Sequence, residues 1–223
     1  MSTDLAYHFG VFLGDGYVER YSANSSCWYV GLKAIDLDFV ENWRSVLERL
    51  TGKRYAIRQE KSENPNHNVR HRCRCGRGEF ARLTVVATDK KRKIPDMVTL
   101  GTREIKIAFL QGLMDSEGWI GCVLSSMGRS YVNLSFGVTA TWCEGVRAMF
   151  SDVGIETSRL FLREWDVESN PGKTPRKDFH YFSINLIHYV DAGMGFNIKR
   201  KQDRLDYCYQ LLRDFALLYP PLR

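Results

Sequence analysis

The segment HFGVFLGDGY at residues 8–17 returns in diverged form as AFLQGLMDSEGWI at 108–120. The offset is constant. Gly10 and Gly112, Asp15 and Glu117, Gly16 and Gly118, and Gly52 and Gly154 are each 102 residues apart, and Ala6 and Val18 pair with Ala108 and Ile120 in the same way. A tandem duplication restricts the fold more than any single motif does, because one architecture has to satisfy both copies. The 223 residues therefore divide into two units, 1–101 and 102–223, each long enough to enclose a core.

Both copies read in the same order. An apolar helix comes first. After the glycine, YVERYSANSSCWYVGLKA and WIGCVLSSMGRSYVNLSFGVTA are alternating runs interrupted by a polar turn, the pattern of a β-hairpin. Amphipathic helices follow in DLDFVENWRSVLERLTG and TWCEGVRAMFSDVG, each closed by a glycine. YAIRQE with NVRHRCRC, and SRLFLRE with FHYFSIN, form a second hairpin, and each copy ends in a helical stretch containing KRK, at 91–93 and 199–201. The predicted class is α+β: two tandem αββαββα units with antiparallel sheets, joined by a linker at 94–102.

The paired helices carry a charge problem. Gly10 with Gly14, and Gly112 with Ser116, put small residues four apart on one helical face, where two backbones can approach closely. The remaining faces are apolar nearly all round, which predicts burial on both sides and makes these helices the interface between the halves. Asp15 and Glu117 then emerge together at the helix C-termini, each facing the negative end of its own dipole. Like charges in that position call for a proton or a divalent cation. Carboxylates with the backbone carbonyls of Gly14 and Ser116 suit Mg²⁺, with Mn²⁺ or Ca²⁺ as substitutes. Asp115 points about 200° away from Glu117 around the helix and reads as structural.

Strand alternation separates core from outer faces. In VRHRCRC, Val69, His71, Cys73 and Cys75 share the core side, so the His/Cys spacing reads as packing and not as a zinc site, while Arg70, Arg72 and Arg74 form a basic stripe with Arg77 beyond. Tyr29 and Lys33 lie on an outer face, as do Tyr131, Asn133, Ser135 and Thr139. Tyr17, Glu19, Tyr21, Arg58, Trp119, Arg159, Arg163, Tyr181 and Ser183 complete the candidate contact set. Faces of this composition can touch phosphates and read base edges in a major groove.

HFGVFLGDG and LQGLMDSEG resemble the two signature helices of the LAGLIDADG homing endonucleases in their single-chain, two-motif form, and the αββαββα order of that family spans the whole chain. The resemblance implies a pseudo-twofold monomer whose sheets form a saddle over double-stranded DNA, and a site-specific endonuclease making metal-dependent double-strand breaks at a long asymmetric target of about 15 base pairs. In that family Asp15 and Glu117 would hold the metal. Lys199 and its counterpart Lys91 would match a lysine that polarises the scissile phosphate. Lys33 lies near a position that orders active-site water, although the partner position, Thr139, departs from the usual Gln or Lys. The family's association with mobile introns makes intron homing the expected role. Its other activities give the alternatives: an RNA-binding intron maturase, or a DNA-binding regulator without catalysis.

Composition limits the remaining classes. No apolar run approaches the ~20 residues of a membrane span, and the six cysteines show no CxxC pair, which fits reduced thiols. The start MSTD precedes a helix with no basic region or cleavage site, so an intracellular protein is expected, cytoplasmic or in a nuclear or organellar matrix. The net charge of +6 is uneven: residues 1–101 hold 17 Lys and Arg against 12 Asp and Glu, and residues 102–223 hold 15 against 14. A basic surface suggests a polyanion partner without proving one, because charge runs are usually solvated faces, and position has to decide.

Overall fold

Ser2 opens the first helix, α1 (Thr3–Leu13), by accepting a hydrogen bond from the Leu5 N–H at 3.3 Å, and Gly14 closes it. The computed structural model describes every residue except 21–26, 62–68, 77, 125–129, 139–140, 164–178 and 219–223; the side chains at 123–124, 130, 163 and 215–218 also lie outside the description. The first copy continues with β1 (Gly16–Arg20), β2 (Trp28–Ala34), α2 (Leu37–Thr51), β3 (Ile57–Lys61), β4 (Val69–Cys75) and α3 (Glu79–Ala87), followed by a short α4 (Asp96–Thr99). The second comprises α5 (Arg103–Glu117), β5 (Gly118–Leu124), β6 (Ser130–Val138), α6 (Cys143–Asp152), β7 (Phe161–Arg163), β8 (Phe179–Ile184), α7 (Leu186–Asp191) and α8 (Lys199–Leu218).

Each copy builds one four-stranded antiparallel sheet, ordered β1-β2-β4-β3 and β5-β6-β8-β7. The order is the same because each hairpin pairs locally and the last strand of each copy then docks against the second. By compactness the chain divides at Met1–Glu117 and Gly118–Arg223. α5 belongs to the second copy by sequence and to the first unit by packing, because it lies along α1. In the first unit the sheet's inner residues Val30, Leu32 and Cys73 are buried with Phe9, Phe12, Phe39, Trp43 and Leu47. Leu134, Phe136 and Phe182 play that part in the second unit, with Phe150 and Tyr189. Among the described residues no helix is long and apolar enough to cross a membrane.

Two local expectations are corrected. The first KRK is not helical: Asp89, Lys90 and Lys91 have φ of 43°, 53° and 74°, and a run of left-handed residues cannot extend a right-handed helix. The second KRK does open a helix, α8, but one additional to the predicted seven-element unit, set off from α7 by Gly193 at φ 77°. The stretch predicted as linker contains α4, which Pro95 starts.

The Cys73 thiol is pushed up to about 12 by burial, as suits a core residue. Cys75 is also buried, beside the Tyr55 hydroxyl at 3.2 Å.

Candidate functional site

α1 and α5 run side by side in the first unit, and their glycines face each other. A β-carbon on Gly10 would lie 2.9 Å from Leu113 N and closer still to the Phe109 carbonyl oxygen. One on Gly112 would lie 2.9 Å from Val11 N and closer still to the Tyr7 carbonyl oxygen. Backbone meets backbone here, so only glycine fits. Farther along, the α-carbon of Gly14 faces Ser116 and Glu117; a β-carbon there would be 3.3 Å from Glu117 Cγ. Residue numbers rise together along both helices, so the helices are parallel and their C-terminal ends coincide.

That end carries the two acids. Asp15 is exposed in the turn between α1 and β1, and Glu117, half-buried, is the last residue of α5. Lys91 reaches the same place from the left-handed turn after α3. Its ammonium donates to the Gly14 carbonyl at 2.6 Å and to the Gly16 carbonyl at 2.7 Å, so one cation bridges the carbonyls of the two residues on either side of Asp15. Burial lowers the pKa of Lys91, and Glu117 and then Asp15 oppose that shift. The positive charge demanded by the end of α1 is therefore supplied in part by the chain itself. Three non-glycine residues at positive φ are strained, at about 1–3 kcal/mol each, and the strain sits in the turn that aims this lysine.

Asp115 turns away from the acids, as its helical phase requires. It is 1% exposed and accepts a 2.7 Å hydrogen bond from the Tyr7 hydroxyl, which in turn accepts from Asn42 Nδ2 at 2.8 Å. This network ties α5 to α1 and α2. The Ser116 hydroxyl donates back to the Gly112 carbonyl at 3.2 Å.

The outer face of the first sheet assembles Lys33, Arg58, Arg70, Arg72 and Arg74 by register: Lys33 and Arg58 both lie opposite Arg72, and Gly31 lies opposite Arg74. Two acids interrupt it. Glu60 holds Lys33 at 2.7 Å and Arg72 at 3.0 Å, and Glu19 lies 3.6 Å from Arg74. Arg74 also stacks on the Tyr29 ring at 4.6 Å, and burial raises the Tyr17 phenol against the opposing charge of Arg72. Sequence analysis missed Glu60, although the alternation that selects Arg58 selects it equally. Lys33 is engaged on this face, and none of its described contacts reaches Asp15 or Glu117.

On the second sheet Trp119, Tyr131, Asn133, Ser135, Tyr181 and Ser183 share the outer face, and Arg159 lies over the Phe161 ring at its edge. Phe161 and Phe179, absent from the sequence-based set, stack on Tyr181. Lys199 opens α8 and pairs with Asp203 at 2.8 Å, and Lys91 is joined to the Asp15 turn by its two carbonyl bonds. Tyr21, Arg77 and Thr139 lie outside the described residues, as does the side chain of Arg163.

Among the described residues no three His, Cys, Asp or Glu side chains gather as a metal cluster. The two acids still fit a hard divalent ion. Mg²⁺ characteristically takes one or two carboxylates from the protein and completes its shell with water and substrate phosphate. Lys91 occupies one lone pair of the Gly14 carbonyl, which has two.

No family model matches the sequence, and no curated protein matches it. Solved structures do. The chain is similar to the homing endonuclease I-DmoI in complex with DNA and Mn, with 16% identity over 85% of this chain and 95% of that one, at a TM-score of 0.55. It is similar to the homing endonuclease I-WcaI bound to its DNA recognition sequence, with 14% identity over 90% and 86% and a TM-score of 0.55. The N-terminal LAGLIDADG domain of WhiA matches at 12% identity over 86% and 80%, with a TM-score of 0.50. The chain has the two-motif LAGLIDADG fold, with two four-stranded antiparallel sheets.

Proposed function

We propose that this chain is a site-specific DNA endonuclease that hydrolyses phosphodiesters on both strands with a divalent metal, Mg²⁺ in the first place. The observation that carries the reading is the meeting of Asp15, Glu117 and Lys91 at the end of the α1–α5 pair. Two acids held together at one helix crossing are of use to a metal ion, and binding DNA alone calls for no such pair. The solved structures with this fold include I-DmoI with DNA and Mn and I-WcaI on its recognition sequence, which supports duplex DNA as the partner.

In this reading Asp15 and Glu117 hold the ion, and the Gly14 and Ser116 carbonyls are the nearest further donors. When bound, a divalent ion supplies an acidified water and charge stabilisation at phosphate. Lys91 keeps the Gly14–Gly16 turn, and so Asp15, in place; its charge beside the acids is available to the extra negative charge of a phosphorane-like transition state. The repeat halves 1–101 and 102–223 would each serve one half of the target. Because their outer faces differ, that target would be asymmetric.

The test is incubation with Mg²⁺ and a randomised duplex library, followed by sequencing of the cut ends. Cutting at one sequence is expected. Asp15→Asn and Glu117→Gln should bind that sequence with parental affinity and cut neither strand at a measurable fraction of the parental rate. A single mutant that still cuts both strands normally sinks the assignment.

A further inference from the structure

The two outer faces differ in chemistry, and the second holds an amide fixed in orientation. The first carries the cations described above. On the second, no described side chain of β5, β6, β7 or β8 facing outward is Lys, Arg, Asp or Glu. Its periphery is aromatic. Trp119 and Tyr131 are 43% and 51% exposed, and the rings of Phe161 and Phe179 stack on Tyr181 with centroids 5.4 Å and 6.3 Å away. The described part of this face therefore offers phosphate few partners beyond Arg159 at its edge, since counterion release needs Lys or Arg.

At its middle stands Asn133, opposite Gly121 on β5. The Trp119 ring lies over Gly121, 3.0 Å from where a β-carbon there would be, so an apolar plate flanks the amide. The Ser183 hydroxyl donates to Asn133 Oδ1 at 3.1 Å. That bond fixes which way the amide points. It uses one lone pair of Oδ1 and leaves the other, beside the two N–H donors of Nδ2. An acceptor and a donor side by side match the major-groove edge of adenine, whose N6–H₂ donates and whose N7 accepts. Of the four bases only adenine offers that pair, and its partner thymine carries a methyl suited to the neighbouring ring.

We propose that Asn133, positioned by Ser183, recognises one adenine in the half-site bound by the second sheet. The proposal rests on the reading above that these faces meet duplex DNA. Asn133 is the specificity-determining contact, and Ser183 is a positioning residue that acts through it.

The experiment is selection of bound duplexes from a randomised library in Ca²⁺, with the parent protein and with Asn133→Ala, Asn133→Asp and Ser183→Ala. The parent should enrich an A·T pair at one position where Asn133→Ala shows no preference, a loss of about 5- to 150-fold in discrimination there and nowhere else. Asn133→Asp, left with acceptors only, should shift that position toward cytosine, whose N4–H₂ donates. Ser183→Ala should weaken the same preference by less. With the parent protein, 7-deazaadenine placed singly at each adenine should reduce affinity at that position, and the same analogue should cost Asn133→Ala nothing further. The parent half of this arm needs no variant to fold. Retention of every preference by Asn133→Ala, or an even loss across all positions, overturns the assignment while leaving DNA binding intact. Failure of the parent to enrich any duplex overturns it together with the function it rests on.

Discussion

Replacing Gly112 with alanine adds one methyl group where α5 meets α1, and the structure sets its cost. The new β-carbon would sit 2.9 Å from Val11 N and 3.2 Å from Tyr7 C, against backbone that cannot swing aside. The Tyr7 carbonyl oxygen would be closer still, and ordinary contact is near 3.5 Å, so the helices must separate by roughly 1 Å. Overpacking of this kind costs about 1–3 kcal/mol, and in a chain of this size each kcal/mol lowers Tm by about 2–4 °C. The expected fall is therefore on the order of 2–12 °C. The same displacement stretches the Tyr7–Asp115 hydrogen bond and carries Glu117 away from Asp15. A 1 Å error at a reacting centre costs on the order of 100-fold in rate, so a loss of about that size is expected. Gly10→Ala should behave alike. The double mutant should lose less than the sum, because the second methyl enters a gap the first has opened. Gly76→Ala is the control, since among the described residues its β-carbon would meet only the Tyr29 ring edge, at 3.3 Å. Calorimetric melting and the rate of plasmid linearisation in Mg²⁺ measure both effects. A Gly112→Ala protein that melts within a degree of the parent and cuts at the parental rate would refute the close crossing and the argument built on it.

Lys91→Met removes two charge-assisted hydrogen bonds, each about 1.5–3 kcal/mol, and relieves a half-buried ammonium, so Tm should fall modestly while cleavage drops on the order of 10-fold or more; an unchanged rate would deny Lys91 any part in placing Asp15. His8 is fully buried among aromatic rings, with Nε2 3.0 Å from Thr84 Oγ1, and burial lowers its pKa from 6.5 to about 3. Because the folded state binds fewer protons, its contribution is intact above pH 6.5 and lost as pH falls from there toward 3, by as much as about 4–5 kcal/mol; denaturant titrations should show a drop in that window that His8→Phe flattens. Glu60→Gln frees Lys33 and Arg72 and should tighten DNA binding and steepen its salt dependence by about one counterion, whereas Arg70→Ser should make the slope shallower by a similar amount; equal slopes in all three proteins would exclude this sheet as a phosphate-binding surface.

The order of elements and the matched positions of Asp15 and Glu117 in the two copies were legible in the sequence, because hydrophobic periodicity and a fixed repeat offset are properties of the chain read along its length. So were Gly10 and Gly112 as sites for close helix approach, and the phase that turns Asp115 inward. What the sequence left open depends on contacts between residues far apart in it. Two KRK runs look alike as strings; a left-handed turn at 89–91 carries Lys91 to carbonyls 77 and 75 residues away, while Lys199 pairs with Asp203 in its own helix. The basic stripe was visible in β4 alone, but Glu60, on a neighbouring strand, decides how much of that charge is available. The orientation of Asn133 is likewise set by Ser183, 50 residues away. Periodicity tells which face a side chain joins, and only the register of strands and the path of turns tells which charge or hydrogen-bonding group it finds there.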